Sequence, residues 1–115
     1  MIQRPRRVEE GGAGRYNHEV IYTWDPRKAS RNLRKHGVPF EEAATVFLDP
    51  IAWTFYDPDH SLVEDRTITI GFSRSGRVLF VSHCEEGEET IRIISARKAT
   101  PKERSDYAKT RQDFP

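Results

Sequence analysis

Two turn signals in the second half of the chain leave it few ways to fold. Ser73-Arg74-Ser75-Gly76 and the acidic segment Glu85–Glu88 each separate stretches of β-branched and aliphatic residues. Links this short cannot carry a crossover, so the strands they join must run antiparallel. Val78–His83 is apolar on both faces, as a central strand should be. Ile68, Ile70 and Phe72 share one face of a strand that begins near Glu64, and Ile91–Ala96 supplies the last strand. Before them, Ile51, Trp53 and Phe55 alternate as a further strand, followed by the loop Asp57-Pro58-Asp59-His60-Ser61.

Helix signals flank this meander. After a short strand, Val20–Trp24, Asp25-Pro26 marks a helix start and Gly37 its stop. Within that helix Ala29 and Leu33 form a thin apolar stripe, and basic residues occupy most of the remaining surface. Pro39 to Leu48 reads as a second helix with Ala43, Val46 and Phe47 inward, ended by Asp49-Pro50. Thr100-Pro101-Lys102-Glu103 has the spacing of a capping box and opens a final helix to about Arg111. The expected fold is therefore α+β: a small antiparallel sheet of four to five strands, two N-terminal helices and one C-terminal helix, with the helices on one side.

A length of 115 residues fits one domain, expected over residues 20–112. Residues 1–19 are rich in Arg and Gly and poor in apolar side chains, so they read as a flexible extension. The longest apolar runs are far too short to cross a bilayer, and the Arg-rich start lacks the apolar core of a secretory signal. The single cysteine, Cys84, cannot form an internal disulfide, and a cytoplasmic setting is expected.

A net charge of +1 hides a strong pattern. Residues 25–37 carry five basic side chains, Arg27, Lys28, Arg31, Arg34 and Lys35, against Asp25 alone. Residues 49–66 carry five acids against Arg66, and residues 90–111 carry seven basic side chains against Glu103 and Asp106. Alternating blocks make a dipolar surface that can hold a polyanion locally, or merely a well-solvated one.

Three constellations could carry chemistry. Asp57, Asp59 and His60 offer ligands for a divalent metal, but Asp-Pro-Asp is also ordinary turn composition. Glu64 and Arg66 share a strand face with Ile68 and Ile70, either as a marginal ion pair or as a carboxylate base beside a phosphate-binding arginine. Arg92, Arg97 and Lys98 lie on the last strand, where each needs either an acid partner or a phosphate. His36 closes the cationic helix, either capping its carbonyls or acting on protons.

The blocks Trp24-Asp25-Pro26-x-Lys28-Ala29-x-x-Asn32-x-x-Lys35-His36-Gly37-Val38, Phe40-Glu41-Glu42-Ala43, Val46-Phe47-x-Asp49-Pro50, His60-Ser61-x-x-Glu64-Asp65-Arg66, Gly76-Arg77-x-Leu79-x-Val81 and Ile91–Ala99 occur in a distinctive order. Together they resemble the BrnT family of type II toxin–antitoxin systems, over about residues 21–108. The resemblance implies a RelE-like fold and an endoribonuclease that arrests translation and growth. It also implies a BrnA-type antitoxin with a ribbon-helix-helix DNA-binding region, a 2:2 complex, and operator DNA bound only through the antitoxin. The sequence departs from the family pattern at Pro39, where a serine usually caps the second helix.

RNA supplies its own nucleophile, the 2′-hydroxyl, so neither metal nor other cofactor is expected. On this reading Arg66, Arg92, Arg97 and Lys98 hold the phosphate, and Glu64, His60 or His36 moves the proton. Lys28, Arg31, Arg34 and Lys35 bind the RNA strand. Trp24, Trp53 and Tyr107 are candidate antitoxin anchors. The alternatives are a non-catalytic nucleic-acid-binding or interaction module, and a metal-dependent hydrolase using Asp57, Asp59 and His60.

Overall fold

The computed structural model describes residues 2–3, 20–57, 59 and 65–112. Its strands are β1 (Ile2–Gln3), β2 (Ile21–Thr23), β3 (Trp53–Tyr56), β4 (Thr67–Phe72), β5 (Val78–Glu85) and β6 (Thr90–Lys98). The helices are α1 (Pro26–His36), α2 (Phe40–Ala44) and α3 (Pro101–Gln112), with a 3₁₀ turn at Thr45–Leu48 after α2. No described helix is long and apolar enough to cross a membrane.

The two turns act as expected, setting β4, β5 and β6 antiparallel, and β3 extends the meander by pairing antiparallel with β4. The whole sheet nevertheless departs from the all-antiparallel expectation. Its order is β1-β2-β6-β5-β4-β3, and β2 runs parallel to β6. Short turns dictate direction only between the strands they join; β2 reaches β6 through the tertiary fold, and turn chemistry is silent about that pair. Within the expected extension, Ile2–Gln3 pair with β2, while the rest of residues 1–19 lies outside the described residues.

Helix α1 begins and ends as its punctuation indicates. Asp25 accepts the Arg27 N–H at 2.8 Å, and Gly37 closes the helix at φ 70°, donating its N–H to the Leu33 carbonyl. The second helix is shorter than expected. Thr45 Oγ1 donates to the Glu42 carbonyl at 2.6 Å, and the chain tightens there into the 3₁₀ turn. That turn lies directly on β4: a Cβ at Gly71 would meet Val46 Cβ at 3.2 Å and Ala52 Cβ at 3.1 Å, so glycine permits the close approach.

Strand alternation divides the core into two. Leu79, Val81, Ile93 and Ala96 face α1 and α2, packing with Trp24, Val38, Phe40 and Val46. Ile68, Ile70, Val78 and Phe80 face the other way and pack with Phe55 and Tyr107 of α3. The helices therefore lie on both faces, not one. The capping box explains how α3 is aimed: Glu103 N–H donates to Thr100 Oγ1 and Thr100 N–H donates to Glu103 Oε1, while Arg97 donates to both Glu103 oxygens at 2.8 and 3.0 Å. Arg97 thus ties α3 to the face on which Phe80 lies, and its guanidinium stacks 3.8 Å over the Phe80 ring. Arg97, and after it Thr100, holds the Glu103 carboxyl below its ordinary range.

The apolar stripe expected on α1 is replaced by a polar contact. Leu33 is exposed, and Asn32 is the buried residue of the helix. Strand β2 covers β6 only from Thr90 to Arg92, leaving the rest of that side of β6 to α1. Asn32 Nδ2 donates to the Ala96 carbonyl at 2.8 Å and to the Val38 carbonyl at 3.0 Å, and Asn32 Oδ1 accepts the Ala96 N–H at 3.1 Å. One side-chain amide thus stands in for a strand neighbour.

On the helix-facing side, His83 is buried, with Nε2 bonded to Thr69 Oγ1 at 2.8 Å and its ring edge-on to Phe47. Burial lowers its pKa from 6.5 to about 4. Between those values the unfolded chain binds a proton that the folded chain refuses, so stability is complete above about pH 6.5 and falls as pH drops towards 4. Urea titrations should find the wild type about 2 kcal/mol less stable at pH 5 than at pH 7.5 from this group. His83→Gln should flatten that dependence; an unchanged slope would remove His83 as its cause.

Candidate nucleic-acid interface

The register brings part of the expected set together. Arg66 stands one residue before β4, and its carbonyl accepts the Asp57 N–H at 2.9 Å, which extends the β3–β4 ladder by a step. One step beyond Thr67↔His83, Arg66 comes opposite Cys84, and Cys84 pairs with Arg92. Arg66, Cys84, Arg92 and Thr23 therefore form one row across four strands. The next row on the same face is Ile68, Ser82 and Ser95, and the third is Ile70, Phe80 and Arg97. Strands two apart are separated by roughly 10 Å, so side chains as long as Arg66 and Arg92 can converge on one anion between them.

Arg92 Nε donates to Glu86 Oε2 at 2.9 Å in a pair whose side chains are 29% and 46% exposed. An ion pair so open to water is worth about 0–1 kcal/mol, and a phosphate can displace the carboxylate. Arg97 shares the face but is engaged by Glu103 and Phe80, so it serves as the anchor of α3. Lys98 pairs with Leu79 and projects to the opposite face. His60 and Glu64 lie outside the described residues.

The helix contributes a second cationic surface beside the first. Lys28, Arg31, Asn32, Lys35 and His36 of α1, with Ile94 and Ser95 of β6, line an open groove of about 280 Å³. Arg34 lines the neighbouring depression with Arg27, Ser30 and Arg31. Ser95 belongs to both the groove and the arginine-bearing sheet face, so the two surfaces meet along β6. A register shift helps. Ser82 faces Ser95 but His83 faces Ile93, which leaves Ile94 as an extra residue in β6. This bulge sets Arg92 and Ser95 on one face although they are three positions apart. Sequence periodicity alone would have put them on opposite faces.

Asn32 and Ser95 were missed as components of this region. The available signal for Asn32 was a polar residue in the middle of a helix beside a weak apolar stripe; the bulge that exposes Ser95 leaves no sequence signal. Among the described residues no three His, Cys, Asp or Glu side chains form a metal-binding group. Asp57 Oδ1 accepts the Asp59 N–H at 3.1 Å, the turn role that Asp-Pro-Asp permits, and His60 of the metal alternative lies outside the described residues.

The structure is a small α+β domain with Arg66 and Arg92 in one row of a sheet face and a groove lined by basic residues of α1 beside it. Residues 24–103 match the family described as "Ribonuclease toxin, BrnT, of type II toxin-antitoxin system", and the chain belongs to that family. Among solved structures it is similar to the 1.1 Å crystal structure of the Brucella abortus ribonuclease toxin BrnT, at 26% identity and a TM-score of 0.56. That match covers 69% of this chain and 95% of the Brucella chain. Among curated proteins, none matches the sequence.

Proposed function

We propose that this protein is a cytoplasmic, metal-independent endoribonuclease, the RelE-like toxin of its toxin–antitoxin pair, which cleaves RNA and so inhibits translation and growth. The observation that carries this reading is the continuity of the Arg66–Arg92 sheet face with the α1 groove through Ser95. Such a surface holds one phosphate between two arginines while Lys28, Arg31 and Lys35 take neighbouring phosphates of the strand. The family description as a ribonuclease toxin supplies the chemical class.

In this mechanism the 2′-oxygen attacks the adjacent phosphorus as the bond to the 5′-oxygen breaks, leaving a 2′,3′-cyclic phosphate and a 5′-hydroxyl. Arg66 and Arg92 stabilise the charge that grows on the non-bridging oxygens. The 2′-proton passes to a general base and another group protonates the departing 5′-oxygen, roles for which His36, His60 and Glu64 are the candidates, with Lys35 supporting. Arg97 holds α3 and the sheet face in place, and Lys98 meets RNA that wraps past the end of β6. A BrnA-type antitoxin with a ribbon-helix-helix region neutralises the toxin in a 2:2 complex, and the operator is bound through that partner.

Purified protein incubated with single-stranded RNA should produce fragments bearing cyclic phosphate ends, at the same rate with and without EDTA. Intact RNA would reduce the protein to a binding module, and loss of cleavage in EDTA would make it a metal-dependent hydrolase. RNA affinity should also fall steeply with salt, because each phosphate contact releases bound counterions. A salt-independent Kd would argue against the cationic surface as the RNA site.

A further inference from the structure

We infer that the outer edge of β3 and the apolar pocket beside it form the docking site of the antitoxin, which lays an extended segment along this edge. The inference rests on the toxin–antitoxin reading and adds to it the place and chemistry of the contact. Among the described residues the exposed large apolar side chains are Leu33, Leu48, Trp53, Tyr56 and Phe72. All but Leu33 lie at one edge of the sheet. Trp53 and Tyr56 belong to β3, Phe72 ends β4, and Leu48 ends the 3₁₀ turn. They are 40% to 59% exposed, against single-figure values for Trp24 and Tyr107, which are core residues and cannot serve as anchors.

Two further features fit an extended peptide. Strand β3 is terminal in the sheet order, so among the described residues no strand pairs with its outer side. An open, apolar edge strand is a template for strand addition. Next to it Leu48, Pro50, Phe72, Arg74 and Tyr107 line a cavity of about 310 Å³, large enough for an aliphatic or aromatic side chain. The Asp49 carboxylate in its wall is occupied by the N–H groups of Ile51 and Phe72 and by the Tyr107 hydroxyl. The exposed charge that the cavity offers a visitor is therefore Arg74. The matching segment is an extended strand carrying an apolar anchor and an acidic residue. Arg74 is the single cation among the described residues that line the cavity, which offers a polyanion little, and membership of a toxin–antitoxin family implies a protein partner.

The double variant Leu48→Glu, Phe72→Glu and the single variant Trp53→Lys change exposed side chains, so both should fold. Titration with the purified cognate antitoxin should show affinity reduced at least 100-fold in the double variant and at least 10-fold in Trp53→Lys. RNA cleavage by the free variants should stay at the wild-type rate. Hydrogen exchange on the wild-type complex should show new protection of the residue 53–56 amides. Wild-type antitoxin affinity in folded variants, or no protection at β3, overturns the edge-docking proposal and leaves the ribonuclease reading intact. If the wild-type chain forms no complex at all, the antitoxin reading itself fails.

Discussion

Arg92→Ala should lower the rate of RNA cleavage by about 10²–10³-fold while leaving the protein folded. The side chain is part-exposed, and its ion pair with Glu86 is a surface contact worth about 0–1 kcal/mol. On the proposed reading it supplies a fork of donors on the sheet face that also carries Arg66. Arg66→Ala should act in the same direction, and the double variant should lose little more than the worse single one, because two arginines on one phosphate act as a unit. Arg92→Lys restores charge without the fork and should recover only part of the rate. Glu86→Ala removes the competing carboxylate and should leave cleavage unchanged or slightly faster. Single-turnover cleavage of a short RNA checks all five variants. Full activity in Arg92→Ala would show that the sheet face is not where the phosphate sits.

The largest expected effect on stability belongs to a residue on α1. Asn32→Leu keeps a similar size but leaves the Ala96 N–H, the Ala96 carbonyl and the Val38 carbonyl without their present partner. Each buried group left unsatisfied costs about 1–3 kcal/mol, so a loss of about 4 kcal/mol is expected once partial relaxation is allowed. That is a large fraction of the total stability of a domain this size. Urea denaturation at pH 7.5 measures it. Because the same amide positions α1 against β6, weakened RNA binding should accompany the loss of stability, since the groove is lined from both elements. A variant as stable as the wild type would mean that the edge of β6 finds other partners.

Much of this architecture could be read directly from local chemistry. Asp25-Pro26 and Gly37 bound α1 because capping and left-handed geometry are properties of a few adjacent residues. The Thr100–Glu103 box opens α3 for the same reason. Arg66 and Arg92 were recognisable as candidates because charged residues in apolar strand rows demand a partner. Other features were not legible. The expected Ala29–Leu33 stripe was displaced by Asn32, whose role depends on the bare side of β6, sixty-four residues away in the chain. The pairing of Arg97 with Glu103 follows from α3 arriving beside β6, and Lys98 lies on the opposite face from Arg97 because of its register with Leu79. Helices were expected on one side of the sheet, yet α3 covers the other.

The amino-acid sequence alone determined the ends of α1, the start of α3, the antiparallel meander and the family, because each rests on contacts between near neighbours or on an ordered series of residue blocks. Only the tertiary structure decided that β2 runs parallel to β6, that a bulge at Ile94 turns Arg92 and Ser95 to a common face, and that four apolar side chains gather beside an open edge strand. The physical reason is the same in each case. Pairing between distant strands is chosen by which backbone groups and apolar surfaces remain unsatisfied once the local elements have formed, and no short stretch of residues records that outcome.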